Sequence, residues 1–189
     1  MDVAITTTRI IEILSNNEII LTPTDTIWGL SCNPFDENTY KKIFSIKKRD
    51  YSKKLILLVS DITMLRKYVV IHPKVDTLLR HHHRPLTVIY EALPSLPKYL
   101  QMNDGTVAVR IVSRGWLNDV ISEFDAPIAS TSANISDVPY PNSREEISES
   151  IVNQVDYVVE DIYEVNNTNE PSVIAKLDDR AKELIFIRE

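Results

Sequence analysis

Leu21-Thr22-Pro23-Thr24-Asp25-Thr26-Ile27-Trp28-Gly29-Leu30 is the stretch on which the reading of this chain turns. Glu18 to Leu21 has the character of a short strand, and it runs straight into a proline followed by hydroxyls, a carboxylate and a glycine. Strand ends commonly host binding sites in α/β folds. The same residues also suit an ordinary turn, because proline fixes φ while Thr and Asp side chains bond nearby backbone groups. Composition leaves both readings open.

Working outward, Ile5, Ile10, Ile11, Ile13 and Leu14 have approximate helical spacing ahead of that strand. Beyond it, Asp36 is placed to cap a helix with Tyr40, Ile43, Phe44 and Ile46 on one stripe, and Leu55 to Val59 reads as a buried strand. Further strands are expected at 86–90, 106–112, 126–130, 155–159, 173–177 and 184–187, with helices near 114–123 and 144–152. Segments 139–143 and 165–171 have loop composition. The pattern is mixed α/β, and 189 residues with 43% hydrophobic content make one domain over residues 1–189 the default. Gly29, Gly105 and Gly115 are the only glycines, so neither GxGxxG nor a P-loop can be assembled.

A formal charge of −6 argues against a protein that coats nucleic acid by bulk electrostatics. Positive charge is instead local, at Lys47, Lys48, Arg49, Lys53 and Lys54, on a helix end and the loop that follows. No apolar run approaches the roughly 20 residues that span a bilayer, and the N-terminus has no basic region followed by an apolar one. With a lone Cys32 as well, the expectation is a cytoplasmic protein without membrane contact.

Three further segments carry candidate chemistry. Lys47, Arg49 and Lys53 offer donors suited to phosphate oxygens, although such a cluster equally suits a solvated face. In Ala129-Ser130-Thr131-Ser132-Ala133-Asn134, alternation sends Ser130, Ser132 and Asn134 to one side, where they can hold a polyphosphate or sugar, or else form a capping loop. Thr106 and Arg110 share one face of a strand, and a buried Arg110 requires an anion: a ligand carboxylate or a structural Asp or Glu. His81, His82 and His83 invite a metal reading, but consecutive side chains do not converge on one ion in regular structure.

Taken in order, PTDTIWGL, KKRDYSKKLILLV, RPLTVIY, TVAVRI, STSANIS and PSVIAKL resemble the YrdC-like threonylcarbamoyl-adenylate synthases over nearly the whole chain. The resemblance implies a single α/β domain, a twisted mixed sheet with flanking helices around a deep, locally basic cavity. It implies an enzyme, a nucleotidyltransferase that joins ATP, L-threonine and bicarbonate into L-threonylcarbamoyladenylate with release of pyrophosphate. The product feeds N6-threonylcarbamoyladenosine formation in tRNA through a downstream transferase complex. On the matching positions, Lys47, Arg49, Lys53, Thr106, Ser132, Asn134 and Arg188 are implied ATP contacts. Thr26, Arg110, Ser130 and Ser172 are implied threonine contacts. No protein nucleophile and no protein-held metal are implied, and Mg²⁺ is expected to arrive on the ATP phosphates. The alternative is a relative on the same fold that binds nucleotide or RNA without the synthase reaction.

Several positions depart from the family pattern. Asp50 and Lys54 stand where proline is usual, predicting a looser, more charged loop. His82, His83 and Arg84 replace a Trp-Pro-Gly turn, Trp28 replaces a common Tyr, Val173 a common Thr, and Tyr140 a common Ser near the nucleotide.

Overall fold

The computed structural model describes residues 3–160, 168–178 and 183–188. The helical spacing at the start yields α1 (Val3–Ser15), whose Ile10, Ile13 and Leu14 are buried. The next strand is displaced slightly from its expected place, as β1 (Ile20–Thr22), and an unanticipated partner follows as β2 (Gly29–Cys32). Helix α2 (Glu37–Lys47) starts where Asp36 accepts a 2.7 Å hydrogen bond from Thr39 N, and it buries the expected stripe of Tyr40, Ile43, Phe44 and Ile46.

Strand β3 (Ile56–Val59) is followed by a short α3 (Ile62–Leu65) and by α4 (Pro73–His81), which composition alone had not suggested. Pro73 sits in the first turn of α4, where its missing N–H costs nothing, and His72 Nδ1 accepts from Lys74 N. Next come β4 (Leu86–Glu91), β5 (Thr106–Ile111), α5 (Trp116–Phe124) and β6 (Ile128–Ser132). The helix expected over 144–152 is instead a 3₁₀ turn at Arg144–Glu146 and a single turn α6 (Glu149–Val152). Ser148 divides the two, because its hydroxyl caps the second by accepting from Ser150 N. Strands β7 (Tyr157–Val158), β8 (Val173–Asp178) and β9 (Glu183–Arg188) complete the described chain. Of the expected loops, residues 165–167 lie outside the described residues.

All nine strands form one sheet in the order β7-β1-β2-β6-β3-β5-β4-β8-β9. Pairs β1/β7, β3/β5 and β4/β8 are parallel and the rest antiparallel, so the expected mixed sheet is present. Alternation sends Leu57, Val59, Val107 and Val109 into the core, while Leu58, Ala108 and Arg110 face the other way. Helices α1 and α5 pack on each other and against β1 and β3. The last pair, β8/β9, carries a bulge: Ile174 lies opposite Arg188 and Ala175 opposite Phe186, so Ile187 is the extra residue. Such a bulge re-aims the side chain beside it, here Arg188.

Candidate active site

The side chains facing away from the core line a cavity of about 430 Å³ spanning β2, β6, β3, β5, β4, β8 and β9. Among the described residues its lining contains five cations, Arg49, Lys53, Lys54, Arg110 and Arg188, and no Asp, Glu or His. In a chain with a formal charge of −6, this is a local concentration of positive charge of the kind that recruits polyanions.

One end of the cavity is built by the Pro23–Trp28 loop against β5. Arg110 is 5% exposed, and its anionic partner is the equally buried Asp25, with Nη2 3.0 Å from Oδ1. That approach is an ion pair by distance but lies off the direction of a hydrogen bond. Asp25 Oδ2 accepts from Ser113 N at 3.1 Å, and Arg110 Nη1 donates to Thr26 Oγ1 at 3.0 Å. Burial lowers the Arg110 guanidinium pKa, and the Asp25 charge opposes that shift. Of the two anions the sequence allowed for Arg110, a structural Asp is present. Its position was legible only as the carboxylate of the Thr24-Asp25-Thr26 turn.

Hydroxyls fill the middle. Ser130 Oγ accepts from Ser31 Oγ at 2.9 Å, with Gly29 packed beneath it. Ser130 and Ser132 both line the cavity, as alternation along β6 predicts. Ser172 Oγ and Thr87 Oγ1 are 2.7 Å apart, and Ser172 O accepts from Arg188 Nη2 at 2.6 Å, so Ser172 and Arg188 reach the site as one unit. Burial and then the charge of Arg110 lower the Arg188 pKa, as expected where cations crowd one cavity.

The mouth is the loop after α2. Lys48 adopts a left-handed conformation at φ 50°, with Arg49 N bonded to Phe44 O and Lys48 N to Ser45 O. This helix-ending turn throws Arg49 toward the cavity without a glycine. Arg49 Nε then donates to Lys53 O at 2.7 Å, while Asp50 Oδ1 accepts from Ser52 N at 2.8 Å. Tyr51 packs on Phe44 with ring centroids 4.8 Å apart and carries the Lys54 ammonium 3.5 Å above its own ring. Hydrogen bonds and stacked rings thus fix a loop expected to be loosened by its missing prolines. The Lys53 ammonium lies 3.6 Å from Asp137 on the exposed rim, a pair worth about 0–1 kcal/mol and readily exchanged for a stronger anion.

Two implied ATP contacts sit elsewhere. Lys47 is buried and absent from the lining; its ammonium donates to Ser132 O and, at 2.6 Å, to Asn134 O. It fastens the loop after β6 from below. Burial, aided by Arg49, lowers its pKa to about 7. Thr106 lies on the cavity face of β5 but beyond the lining, with its N–H and hydroxyl bonded to Asp104 Oδ1. Asn134 does line the cavity, although its side-chain amide is engaged with Ile135 O and Val138 O. Lys54 and Tyr140 also line the site, and so does Thr24, beside Thr26. Among the described residues no group of three or more His, Cys, Asp or Glu is placed to hold a metal ion.

Comparison with known proteins places the whole chain. The family model described as "Telomere recombination", which covers Sua5, YciO and YrdC, matches residues 12–189. A Methanocaldococcus jannaschii relative is 32% identical over 180 residues, covering 94% of this chain and 82% of its own. A threonylcarbamoyl-AMP synthase of Pseudoalteromonas translucida is 29% identical over 168 residues, covering 87% and 89%. The E. coli YciO structure superposes with a TM-score of 0.83 at 21% identity over 97% of this chain and 88% of that one. P. abyssi Sua5 complexed with L-threonine gives 0.79 at 23% identity, with this chain spanning 53% of its length. A family match over nearly the full length, on a shared mixed sheet with the cationic cavity opening from one face, leaves one conclusion: the chain belongs to the Sua5/YciO/YrdC family.

Proposed function

We infer that this protein is an L-threonylcarbamoyladenylate synthase, a nucleotidyltransferase acting on ATP, L-threonine and bicarbonate. The observation that carries the reading is the division of one cavity into two chemistries. A buried, paired Arg110 with Thr26 suits a small amino acid, and the cations Arg49, Lys53 and Lys54 at the mouth suit a phosphate chain. Relatives named threonylcarbamoyl-AMP synthase support it.

Threonine's ammonium first gives one proton to solvent, and the free amine with bicarbonate then gives a carbamate and water. A carbamate oxygen then bonds to the ATP α-phosphorus while the bond from that phosphorus to the pyrophosphate oxygen breaks, and pyrophosphate leaves with the electron pair. Among the described residues, the cavity lining holds no carboxylate or imidazole to act as base. What this chain supplies is alignment, charge and exclusion of water. Arg110, Thr26, Ser130 and Ser172 hold the amino acid. Arg49, Lys53 and Arg188, with Ser132 and Asn134, hold the nucleotide, and Lys47 supports their loop. Thr106 is retained as a nucleotide contact at the outer end of β5. Mg²⁺ would arrive on the ATP oxygens, neutralising phosphate charge beside the Arg49 and Lys53 cations. The product passes to a tRNA-modifying transferase complex.

The test is incubation with ATP, threonine and bicarbonate, with the product identified by mass spectrometry and pyrophosphate release followed with and without threonine. Threonine-independent release, or no adenylate of the expected mass, overturns the reading.

A further inference from the structure

The hydroxyls beside Arg110 have a fixed polarity. Thr24 Oγ1 donates its single proton to Ile27 O at 2.8 Å, so the 2.8 Å contact between Thr24 and Thr26 hydroxyls must be donated by Thr26. Thr26 N also donates to Thr24 Oγ1, at 3.1 Å. Thr26 Oγ1 in turn accepts from Arg110 Nη1. Protons therefore run in one direction, from Arg110 through Thr26 and Thr24 to the Ile27 carbonyl. With its own proton committed, Thr26 has only a lone pair left to offer the cavity.

This ordering depends on where the guanidinium is held. Arg110 donates to Thr26 through Nη1, its Nη2 faces Asp25, and its Nε is buried with no hydrogen-bond partner among the described residues. Asp25 is not free to follow it, because Oδ2 is tied to Ser113 N at the approach to α5. Asp25 itself is absent from the cavity lining, so a ligand there meets Arg110 and Thr26 but not the carboxylate.

We propose that Asp25 is a positioning residue for the amino-acid end of the cavity: it anchors Arg110 so that guanidinium N–H groups are offered to a carboxylate while Thr26 offers an acceptor to a neighbouring hydroxyl or amine. The proposal rests on the synthase reading above and adds to it a residue that touches no substrate. Without Asp25 the guanidinium loses its fixed azimuth, and binding of a group that needs donor and acceptor side by side weakens selectively. At the nucleotide end, Arg49, Lys53, Ser132 and Asn134 make no hydrogen bond or ion pair with Asp25 or Arg110 among the described residues.

Asp25→Asn tests this, since the amide keeps the size and an oxygen for Ser113 N while removing the charge. The expected result is a KM for threonine raised at least tenfold, with the ATP dissociation constant within twofold of wild type by calorimetry. Thr24→Val, an isosteric change at the far end of the hydrogen-bond run, should raise the same KM with the same sparing of ATP, and it serves if the Asn variant does not fold. An unchanged threonine KM in both variants overturns the proposal, as does a parallel loss of ATP affinity, which would mark general collapse. A wild-type protein without threonine-dependent pyrophosphate release defeats the synthase reading first. Wild-type activity with indifferent variants defeats the role of Asp25 alone.

Discussion

Replacing Gly29 by Ala should destabilise the protein through a local collision whose size the structure specifies. A Cβ there would stand 2.8 Å from Ser130 Oγ and 3.2 Å from Thr131 O, both inside the 3.4 Å at which ordinary contact begins. The serine hydroxyl can swing away, but it then abandons Ser31, fully buried, whose own hydroxyl loses its acceptor. Leaving that donor unpaired costs about 1–3 kcal/mol. The carbonyl is backbone and moves only if β2 and β6 part by a few tenths of an ångström, a strain of about 1 kcal/mol. Alanine's lower unfolded-state entropy returns about 0.5–1 kcal/mol. The net is a loss of about 1–3.5 kcal/mol, or a Tm lower by about 2–14 °C for a chain of this size. Urea and thermal unfolding measure it. Pairing the change with Ser130→Ala removes the first obstruction, so the double variant should recover at least about 0.5 kcal/mol relative to additivity. A loss below about 0.5 kcal/mol, or strict additivity, refutes the reasoning.

Arg49→Ala should raise the ATP dissociation constant about 10- to 150-fold, the scale of a charge-assisted hydrogen bond at about 1.5–3 kcal/mol, with the fold intact; calorimetry with unchanged affinity removes Arg49 from the site. L-Threonine should be strongly preferred over its methyl ester, which denies Arg110 a charged partner, and equal turnover of the two excludes that role. Lys47 has its pKa lowered from 10.5 to about 7 by burial and then by Arg49, so between those values the unfolded chain holds a proton that the folded one lacks. Its contribution to stability therefore rises with pH across that window, and Lys47→Met should flatten the rise measured from pH about 7.5 to 9.5. The triple variant His81→Ala, His82→Ala, His83→Ala should keep pyrophosphate release within about twofold with or without a chelator, because none of the three lines the cavity. A drop beyond about tenfold, equal to about 1.4 kcal/mol, would place that turn in the site.

The strongly patterned elements were legible in the sequence for simple reasons. Asp36 caps α2 and its stripe is buried because spacing of three and four residues repeats on one face. Apolar residues from Leu55 to Val59 sit in or beside β3 because a strand covered on both faces needs no alternation. Strand β2 was not legible: Gly29, Ser31 and Cys32 carry little strand propensity, and the segment holds its place by pairing with β1 and β6 on both sides. The same distinction applies to the site. Alternation puts Ser130 and Ser132 on one face, and it puts Arg110 with Ala108, but it cannot say what lies 84 residues away across a cavity. Hence Asp25 emerged only as one carboxylate in a turn, and nothing local in the sequence shows that the Lys47 ammonium, a donor suited to phosphate, lies buried against the Ser132 and Asn134 carbonyls.

The contacts that close the cavity join residues 84 apart between Thr26 and Arg110, 85 between Thr87 and Ser172, and 99 between Ser31 and Ser130. Such pairings form slowly, since distant segments must meet before either gains from the meeting. Arg188, which rests on Ser172, belongs to the last described strand. A ribosome-bound chain that has not yet released β8 and β9 therefore lacks one wall of its own binding site, however well its earlier helices have formed. A ligand bound in the cavity should in turn stabilise the β8/β9 pair against opening, since it binds only where that wall is in place.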